Sequence, residues 1–242
     1  MHPLPQNTLE RIIPDLLATG ETTGRDTLAL HVARYEYAAK FAYGYVLDAA
    51  CGVGYGSALL AKAARIDTVV GIDMEERAIA YAKEKYNAPN ISYLATDVYL
   101  YKPTVFFDCI VSLETIEHLP DPEGCIRHFY KLLRPGGMLI ASVPITPSMD
   151  ANPHHLTDFS AKLFIQCLEY AGFVIEDQYL QIQSYNPFKL WRGKEQRGKN
   201  IRSGLLRWYW RHPDKFWLRI TSLLSHGFQN RYLTVKAKKQ GA

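Results

Sequence analysis

The sequence of 242 residues has few of the features that define specialised protein classes. No apolar run approaches the roughly 18 residues that a membrane span requires, and the first residues contain no apolar core of a secretory signal. The four cysteines, at positions 51, 109, 125 and 167, form no CxxC pair, which argues against a disulfide framework or a zinc site. We therefore expect a soluble, cytoplasmic protein with one globular domain.

Negative charge is scarce in the last quarter of the chain. Residues 1–184 contain 14 basic and 22 acidic residues, whereas residues 185–242 contain 14 basic residues and only two acidic ones, Glu195 and Asp214. The formal net charge of +4 therefore combines an acidic segment with a strongly basic one. All four tryptophans lie in the basic segment. We therefore expect the two segments to have different electrostatic roles.

Apolar runs rich in Val and Ile alternate with amphipathic runs between about residues 44 and 143. Strands that are apolar on both faces and separated by helices are typical of a parallel sheet covered on both sides. The pattern predicts strands at 45–49, 68–72, 91–96, 106–113 and 137–143, and helices at 57–65, 75–86 and 122–133. It also predicts an upstream helix at 27–44, a later helix at 160–172, and strands at 173–183 and 231–239.

A glycine loop, VLDAACGVGYG, follows the first strand and leads into a helix. Such a turn lets backbone N–H groups approach a ligand closely at the positive end of a helix. A dinucleotide fingerprint would have a third glycine where Ser57 stands after Gly52 and Gly54. Asp48, four residues before Gly52, would repel a pyrophosphate but attract an ammonium group. The loop therefore favours a cationic or zwitterionic nucleoside over NAD.

Two further acids follow the next two predicted strands. Asp73 ends the second strand, where a carboxylate can accept both hydrogen bonds of a ribose diol. Asp97 follows the third strand and could accept a hydrogen bond from an adenine amino group, with Met74 and Val98 packed on the ring faces. Each acid alone could equally be a helix cap or a turn residue. Three acids at successive strand ends beside the loop favour a nucleoside site.

The fourth strand ends in an ExxEH segment with Glu114, Glu117 and His118. If this segment turns helically, both glutamates share a face and His118 completes an acid and imidazole cluster. His118 could be a general base oriented by the carboxylates. Alternatively, the cluster could bind Mg²⁺ or Mn²⁺ and lower the pKa of a substrate hydroxyl. The segment could also be structural, with Glu114 and His118 capping the next helix.

Five segments in this order, VLDAACGVGYG, VVGIDMEERAIAYAKE, ATDV, FDCIVSLETIEHLPDPEGCI and LRPGGMLIASVP, resemble the successive motifs of class I S-adenosylmethionine-dependent methyltransferases. The match covers about residues 44–145. The resemblance implies an α/β, Rossmann-like three-layer sandwich with a seven-stranded, mostly parallel sheet whose last strand is antiparallel. S-adenosylmethionine would be the cofactor. Its binding residues would be Asp48, Ala49, Cys51, Gly52, Gly54, Asp73, Met74, Asp97, Val98 and Leu113.

The ExxEH segment and a later histidine, His155 in front of Asp158-Phe159-Ser160, resemble the metal site of small-RNA 2′-O-methyltransferases. On that match Glu114, Glu117, His118 and His155 would bind Mg²⁺ or Mn²⁺. Without a metal, the candidate catalytic residues are His118, His155 and Glu114. Ubiquinone-biosynthesis O-methyltransferases also carry an ExxEH segment at this strand end.

Motifs outside the cofactor region resemble sugar and small-molecule O-methyltransferases of bacterial glycan or natural-product pathways. They are HxxRY at 31–35, NPxH at 152–155, and a partly matched GERxxP, in which Leu9 replaces the usual glycine. This resemblance implies O-methylation of a sugar or another hydroxylated acceptor. The alternatives are an RNA 2′-O-methyltransferase, a nicotinamide-dependent oxidoreductase on a similar fold, and a non-catalytic cofactor-binding subunit.

We predict four parts in the chain. Residues 1–43 would form an N-terminal cap helix region, 44–184 the cofactor-binding core, 185–229 a basic aromatic insertion or lid, and 230–242 the last strand and tail. The aromatic and cationic side chains of the insertion could stack on sugars or bases and hold phosphates. They could also lie on an anionic membrane surface, or the tryptophans could simply pack on the sheet. The predicted partner is a small-molecule or glycan acceptor, anionic or lipid-linked, with RNA as the alternative.

Overall fold

The computed structural model describes residues 12–17, 22–184 and 202–241. Leu9 to Arg11 and Trp191, which the sequence analysis singled out, lie outside these ranges. Seven strands form a single sheet. They are β1 Gly44–Ala49, β2 Ile66–Asp73, β3 Ile91–Ala95, β4 Phe107–Leu113, β5 Leu133–Pro144, β6 Phe173–Ser184 and β7 Gln229–Lys239.

Helices connect the strands in the predicted alternation. They are α1 Thr22–Phe41, α2 Tyr55–Leu60, α3 Glu76–Lys85, α4 Pro122–Leu132, α5 Ala161–Tyr170, α6 Leu205–Arg211 and α7 Pro213–His226, with short 3-10 turns at Pro14–Leu16 and Ile116–His118. The cap residues explain two of the starts. The Asp121 side chain accepts a hydrogen bond from the Gly124 N–H at 2.8 Å, and the Ser160 hydroxyl accepts one from the Leu163 N–H at 3.1 Å.

Element boundaries differ from the sequence-based expectation most clearly at three places, of which the first is the start of α1, at Thr22 and not at residue 27. The helix predicted over 57–65 ends at Leu60, because the chain tightens there into a turn in which the Lys62 N–H donates to the Leu59 carbonyl and the Ala63 N–H to the Leu60 carbonyl. The strand predicted from Gly137 already begins at Leu133. It absorbs the Pro-Gly-Gly segment, with Gly136 at a positive φ of 76°.

The strand order is β3-β2-β1-β4-β5-β7-β6. β1 runs parallel to β2 and β4, β2 to β3 and β4 to β5, whereas β7 is antiparallel to both of its neighbours, β5 and β6. The predicted mostly parallel sheet with an antiparallel last strand is therefore confirmed. The chain builds outward from β1 to β3 and then returns to pair β4 with β1. The carboxyl ends of β1 and β4 thus form the switch point where such sheets bind ligands.

Two apolar cores cover opposite faces of the sheet. One packs α4 and α5 against the strands through Phe129 and Phe164, and the other packs α1 and α2 through Ala38 and Leu60. Burying side chains of this size contributes about 1.5 to 3 kcal/mol each to folding. These cores fix the strand ends that carry the candidate site. Among the described helices, none is long and apolar enough to cross a membrane.

Candidate active site

The glycine loop between β1 and α2 adopts backbone conformations that require its sequence. Ala50, Gly52 and Gly54 all have positive φ angles, of 58°, 57° and 87°. A Cβ at Gly54 would lie 2.6 Å from the Cβ of Ala82 on α3, so no larger residue fits there. A Cβ at Gly52 would meet nothing within 4 Å. The loop is thus packed on one side at Gly54 and open at Gly52, where a ligand could approach the backbone.

Asp73 ties this loop to the end of β2. Its Oδ2 atom accepts a hydrogen bond from the Gly52 N–H at 2.9 Å, and its Oδ1 atom accepts one from the Glu75 N–H at 2.9 Å. Each carboxylate oxygen can accept more than one hydrogen bond. Asp73 therefore has the structural role that the sequence allowed for it, and its geometry still permits the predicted contacts to a ribose.

Asp48 lies fully buried beneath the loop. The Ser57 hydroxyl donates to its Oδ2 atom at 2.6 Å, and the Tyr35 hydroxyl donates to its Oδ1 atom at 3.1 Å. Burial raises the pKa of Asp48 to about 7, with a smaller contribution from the nearby Asp73 carboxylate and opposition from the two hydroxyl groups. Asp48 thus joins α1, β1 and α2. Its predicted contact with the methionine ammonium stays a prediction.

The third glycine of the loop explains how Tyr35 reaches Asp48. A Cβ at Gly56 would overlap the aromatic ring of Tyr35, which crosses α2 at this point. The sequence analysis assigned no role to Gly56, Tyr35 or Ser57. The signal that could have found them is the extra glycine in GVGYG, together with a tyrosine on the preceding helix.

The remaining predicted cofactor residues lie at the same edge of the sheet. β2 and β3 pair in parallel with Asp73 opposite Ala95, so Met74 and Asp97 follow adjacent strand ends. Met74 is 77% exposed, whereas Asp97 accepts a hydrogen bond from the Tyr99 N–H at 2.7 Å. The others are mostly buried and give the edge an apolar floor: Ala49, Cys51, Val98 and Leu113.

Glu114 begins the second half of the edge, at the end of β4. It has a positive φ of 52°, its N–H donates to the Ser142 carbonyl at 3.1 Å, and its Oε1 atom accepts a hydrogen bond from the Ser142 hydroxyl at 2.7 Å. The 3-10 turn starts only at Ile116. The expectation that Glu114 and Glu117 share a helical face is therefore wrong, because the backbone reverses at Glu114 before the turn begins.

Three of the four predicted metal ligands come together. Glu117, His118 and His155 each offer a ligand atom, and these atoms all lie within 4.8 Å of one another. Glu117 is fully buried, and the two histidines are partly exposed. Among the described residues, Glu114 is not part of this group, because its side chain is bound to Ser142. The sequence-based ligand set therefore needs correction at Glu114.

Hydrogen bonds orient both imidazole rings. Nδ1 of His118 lies 3.2 Å from the His154 carbonyl oxygen. A carbonyl only accepts, so Nδ1 carries the proton and, in the neutral ring, Nε2 carries the lone pair. That Nε2 lies 3.9 Å from a carboxylate oxygen of Glu117. Nδ1 of His155 lies 2.6 Å from the Ser148 hydroxyl. A ring held through one nitrogen suits either a metal ligand or a general base.

Main-chain hydrogen bonds bring His155 to this place. The Glu117 carbonyl accepts hydrogen bonds from the N–H groups of Leu156 and Thr157, at 2.8 Å and 3.2 Å. The segment after β5 is thereby fastened to the 3-10 turn after β4. As a result, the rings of His118 and His155 meet edge to face with their centroids 4.6 Å apart.

Comparison with known proteins relates the part of the chain that forms this edge to methyltransferases. A family model described as a methyltransferase domain matches residues 47–141, the part that carries the glycine loop, Asp73, Asp97 and the ExxEH segment. A protein of Mycolicibacterium smegmatis, named as a probable S-adenosylmethionine-dependent methyltransferase, is 35% identical over 138 residues, which are 54% of this chain and 52% of the relative. Residues 47–141 therefore resemble a methyltransferase domain, and the relative from Mycolicibacterium smegmatis carries the name of an S-adenosylmethionine-dependent enzyme.

Two further comparisons agree with the methyltransferase domain. A ubiquinone biosynthesis O-methyltransferase of Coxiella burnetii is 41% identical over 101 residues, 40% of this chain and 42% of the relative. The crystal structure of the N-methyltransferase NodS from Bradyrhizobium japonicum superposes with a TM-score of 0.59 at 17% identity, covering 91% of this chain and 89% of NodS. The chain thus spans about half the length of the curated relatives it matches. The predicted fold is confirmed, the match over residues 47–141 supports the predicted family, and the cofactor and the individual residue roles stay predictions.

Helices α6 and α7 of the basic segment hold the loop after β5 that carries His155. Asp150 is almost fully buried and accepts hydrogen bonds from Nε and Nη2 of Arg219 on α7, at 2.7 Å and 2.5 Å, and from the Tyr209 hydroxyl on α6. Although burial acts to raise the pKa of Asp150, these partners hold it below its usual value. The Lys215 ammonium lies 3.0 Å from Asp158. We call the contacts of Arg219 and Tyr209 with Asp150 and of Lys215 with Asp158 the clamp. The sequence did not predict these contacts, although the charge asymmetry of the chain was a signal for them.

Arg34 on α1 is a fully buried cation that packs against β6 and β7. Its Nη1 atom donates to Gln181 at 2.9 Å, and its guanidinium lies 4.8 Å from the centre of the Tyr232 ring. Its Nε and Nη2 atoms have no hydrogen-bond acceptor among the described residues. The HxxRY motif had pointed to this residue without a role.

Proposed function

We propose that the chain transfers the methyl group of S-adenosylmethionine to a hydroxyl oxygen of a sugar or a comparable small acceptor. The observation that carries this proposal is the cluster of Glu117, His118 and His155 beside the cofactor edge. It combines a buried carboxylate with two oriented imidazoles at the ends of β4 and β5. A hydroxyl needs such groups because its proton must leave during methylation.

The reaction itself asks little covalent chemistry of the protein. The acceptor oxygen attacks the methyl carbon in line with the departing sulfur, so that an O–C bond forms while the C–S bond breaks. The electron pair of that bond goes to the sulfur, which leaves as neutral S-adenosylhomocysteine. The protein must align the two substrates and accept the proton of the hydroxyl.

His118 is suited to take that proton. Its Nδ1 proton is held by the His154 carbonyl, so that Nε2 has the basic lone pair, and the buried Glu117 carboxylate would stabilise the imidazolium that forms. His155, linked to the Ser148 hydroxyl, would complete the cluster or act as the base in its place. Glu114 would instead shape the end of β4 through its bond to Ser142.

The same three residues fit a divalent metal ion. One carboxylate and two imidazoles form a mixed oxygen and nitrogen donor set. This set suits a transition-metal ion such as Mn²⁺ better than Mg²⁺, because Mg²⁺ prefers oxygen ligands throughout. When bound, such an ion would act as a Lewis acid that lowers the pKa of an acceptor hydroxyl. Glu117, His118 and His155 would hold it, with Glu114 outside the set.

RNA 2′-O-methylation is the second candidate. The metal-type cluster and the basic charge of residues 185–242 support it. The O-methyltransferase named among the relatives acts in ubiquinone biosynthesis by its name, which supports a small acceptor instead. The four cysteines are free and buried, which supports a reducing, cytoplasmic location.

Calorimetric titration with S-adenosylhomocysteine tests the proposal first. We expect one binding site for this product and none for NAD. Release of S-adenosylhomocysteine is then measured with a panel of sugars and nucleotide sugars. Absence of S-adenosylhomocysteine binding would contradict the proposal. Binding without turnover on any hydroxylated acceptor would favour a non-catalytic cofactor-binding subunit. A steeply salt-dependent RNA complex that is methylated would favour the second candidate.

A pair of neighbouring histidines tests the cluster. We expect His155→Ala to lower turnover by about 100-fold or more with nearly unchanged affinity for S-adenosylhomocysteine. His154→Ala is the matched control, because only its main-chain carbonyl contacts the cluster and its side chain is exposed. Loss of activity in EDTA with recovery in Mn²⁺ would support the metal, whereas full activity in EDTA would leave His118 as the base. An unchanged rate in His155→Ala would make that residue structural.

A further inference from the structure

Exposed apolar side chains concentrate on one short segment of the chain. Seven large hydrophobic residues between Leu206 and Phe228 are exposed, and neither α6 nor α7 has a buried residue. Leu206 is 88% exposed, Trp210 83%, Trp217 64% and Leu224 83%. An apolar concentration of this kind on a folded protein marks an interaction surface.

The exposed face is the outer side of helices whose inner side is already engaged. On α7, Lys215 and Arg219 point to Asp158 and Asp150. Trp217 and Leu224 are seven residues apart, so they share one face, half a turn away from those two cations. The inner contacts therefore fix the direction in which the outer side chains point.

The same division applies to α6. Tyr209 reaches inward to Asp150, whereas Leu206 and Trp210, four residues apart, share the exposed face. We call the exposed side chains Leu206, Trp210, Trp217 and Leu224 the outer face. Its orientation follows from the clamp and not from a contact with the sheet.

Cations border the outer face. Arg207 and Arg211 follow directly on Leu206 and Trp210 and are exposed, and the segment 185–242 as a whole carries 14 basic residues against two acidic ones. Aromatic and aliphatic side chains flanked by arginines match an anionic lipid surface, where tryptophan sits at headgroup depth and arginine meets phosphate.

Other occupants fit this chemistry less well. A second copy docked face to face would bring the same arginines together. A nucleic acid could stack on the tryptophans, but it has no apolar partner for two leucines that are more than four-fifths exposed. Acyl chains at a bilayer surface take up both leucine and tryptophan.

We propose that the outer face of α6 and α7 docks the protein on the surface of an anionic phospholipid membrane. The helices lie in the interface with Leu206, Trp210, Trp217 and Leu224 among the upper acyl chains and with Arg207 and Arg211 at the phosphates. This docking is independent of the identity of the methyl acceptor. The clamp from Arg219 to Asp150 links the docked helices to the loop that carries His155.

Cosedimentation of the full chain with vesicles tests the proposal. We expect binding to vesicles of phosphatidylcholine and phosphatidylglycerol, much weaker binding to phosphatidylcholine alone, and a loss of binding as salt screens the charges. The tryptophan emission should shift to shorter wavelength on binding. Arg207→Gln and Arg211→Gln should each weaken binding by about fivefold.

A triple variant, Trp210→Ser, Trp217→Ser and Leu224→Ser, should lose binding to anionic vesicles by about 100-fold or more. Tyr170→Ser is the matched control, because Tyr170 is 85% exposed on α5, away from the outer face. Circular dichroism and S-adenosylhomocysteine titration check that each variant is folded. Failure of the wild type to bind anionic vesicles would overturn the proposal, as would equal binding by the triple variant. A dimer or an RNA complex that the triple substitution abolishes, without vesicle binding, would overturn it too.

Discussion

The carboxyl edge of the sheet has two halves, which are built in different ways. We call the glycine loop with Asp48, Asp73 and Asp97 the cofactor half, and the segments with His118 and His155 the acceptor half, after their proposed ligands. In the cofactor half, Asp73 contacts N–H groups 21 and 2 positions away in the chain, and Asp97 contacts one 2 positions away. In the acceptor half, His118 contacts a residue 36 positions away, and Asp150 contacts Arg219 at a distance of 69 positions. The first half combines local turns with contacts between segments up to 21 positions apart, whereas the second depends on segments 36 to 69 positions apart.

This difference separates two kinds of failure. A change in the cofactor half should lower the affinity for the cofactor, while the surrounding backbone stays folded. A change in the acceptor half should leave the cofactor bound but loosen the position of His155. Variants in the two halves should therefore separate affinity from turnover.

Replacing Asp73 by Ala should have the largest effect. It removes the acceptor for the Gly52 N–H and the predicted ribose contact together, so we expect the affinity for S-adenosylhomocysteine to fall by 100-fold or more, about 3 kcal/mol. Calorimetry measures this. Asp67→Ala, at the exposed start of the same strand, is the control and should bind normally. Retained affinity in Asp73→Ala would remove Asp73 from the ribose role.

Cutting the clamp is the corresponding change in the acceptor half. Arg219→Ala leaves the buried Asp150 carboxylate without its cation, and we expect a loss of about 2 to 4 kcal/mol of unfolding free energy. Turnover should fall while cofactor affinity is kept. Arg211→Ala, at an exposed position on α6, is the control for stability. Denaturant titration and kinetics decide, and an Arg219→Ala protein with wild-type stability and turnover would show that the clamp does not position the loop.

Gly56→Ala should cost less, about 1 to 3 kcal/mol, because the added methyl group overlaps the Tyr35 ring and must displace it. Tyr35→Ser removes the obstacle, so the double variant should be more stable than the sum of the two single losses implies. A double-mutant cycle in thermal unfolding measures this coupling. Strictly additive losses would mean that Tyr35 does not pass over Gly56 in solution.

The smallest expected effect is a pH dependence of stability. The pKa of Asp48 is raised from 3.8 to about 7 by burial, so between these values the native state holds a proton that the unfolded chain has lost. Asp48 therefore contributes stability at low pH that disappears as the pH rises from about 4 to 7. Asp48→Asn should flatten this fall in melting temperature, because the amide carries no titrating proton. If the melting temperatures of the wild type and of Asp48→Asn change in parallel over this pH range, the pKa of Asp48 is not raised in the folded protein.

The cofactor half was largely predictable from the sequence. The continuous apolar runs of the strands and the turn after each strand place Asp48, Asp73 and Asp97 at one edge, since parallel strands end together. Even so, the sequence did not predict that Asp48 is buried. That depends on Tyr35 and Ser57, which approach from two other helices.

The acceptor half shows what a motif leaves open. The ExxEH motif predicts a cluster of all three side chains. In the structure, Glu114 has a positive φ and its side chain contacts Ser142, so only Glu117 and His118 lie in the 3-10 turn. The addition of His155 depends on two N–H groups that bind the Glu117 carbonyl. The outcome for Trp208, Trp210 and Trp217 was equally open, because any helix face could have packed on the sheet.

The amino-acid sequence by itself indicated the alternation of strands and helices, the resemblance to methyltransferases, and the acids at the carboxyl edge of the sheet. The strand and helix pattern and the turns after the strands depend mainly on residues a few positions apart, so they can be read along the chain. Only the tertiary structure decided which glutamate joins the histidines and which side of α6 and α7 faces outward. Those outcomes depend on where segments far apart in the chain meet, and the packing of the sheet sets that meeting point.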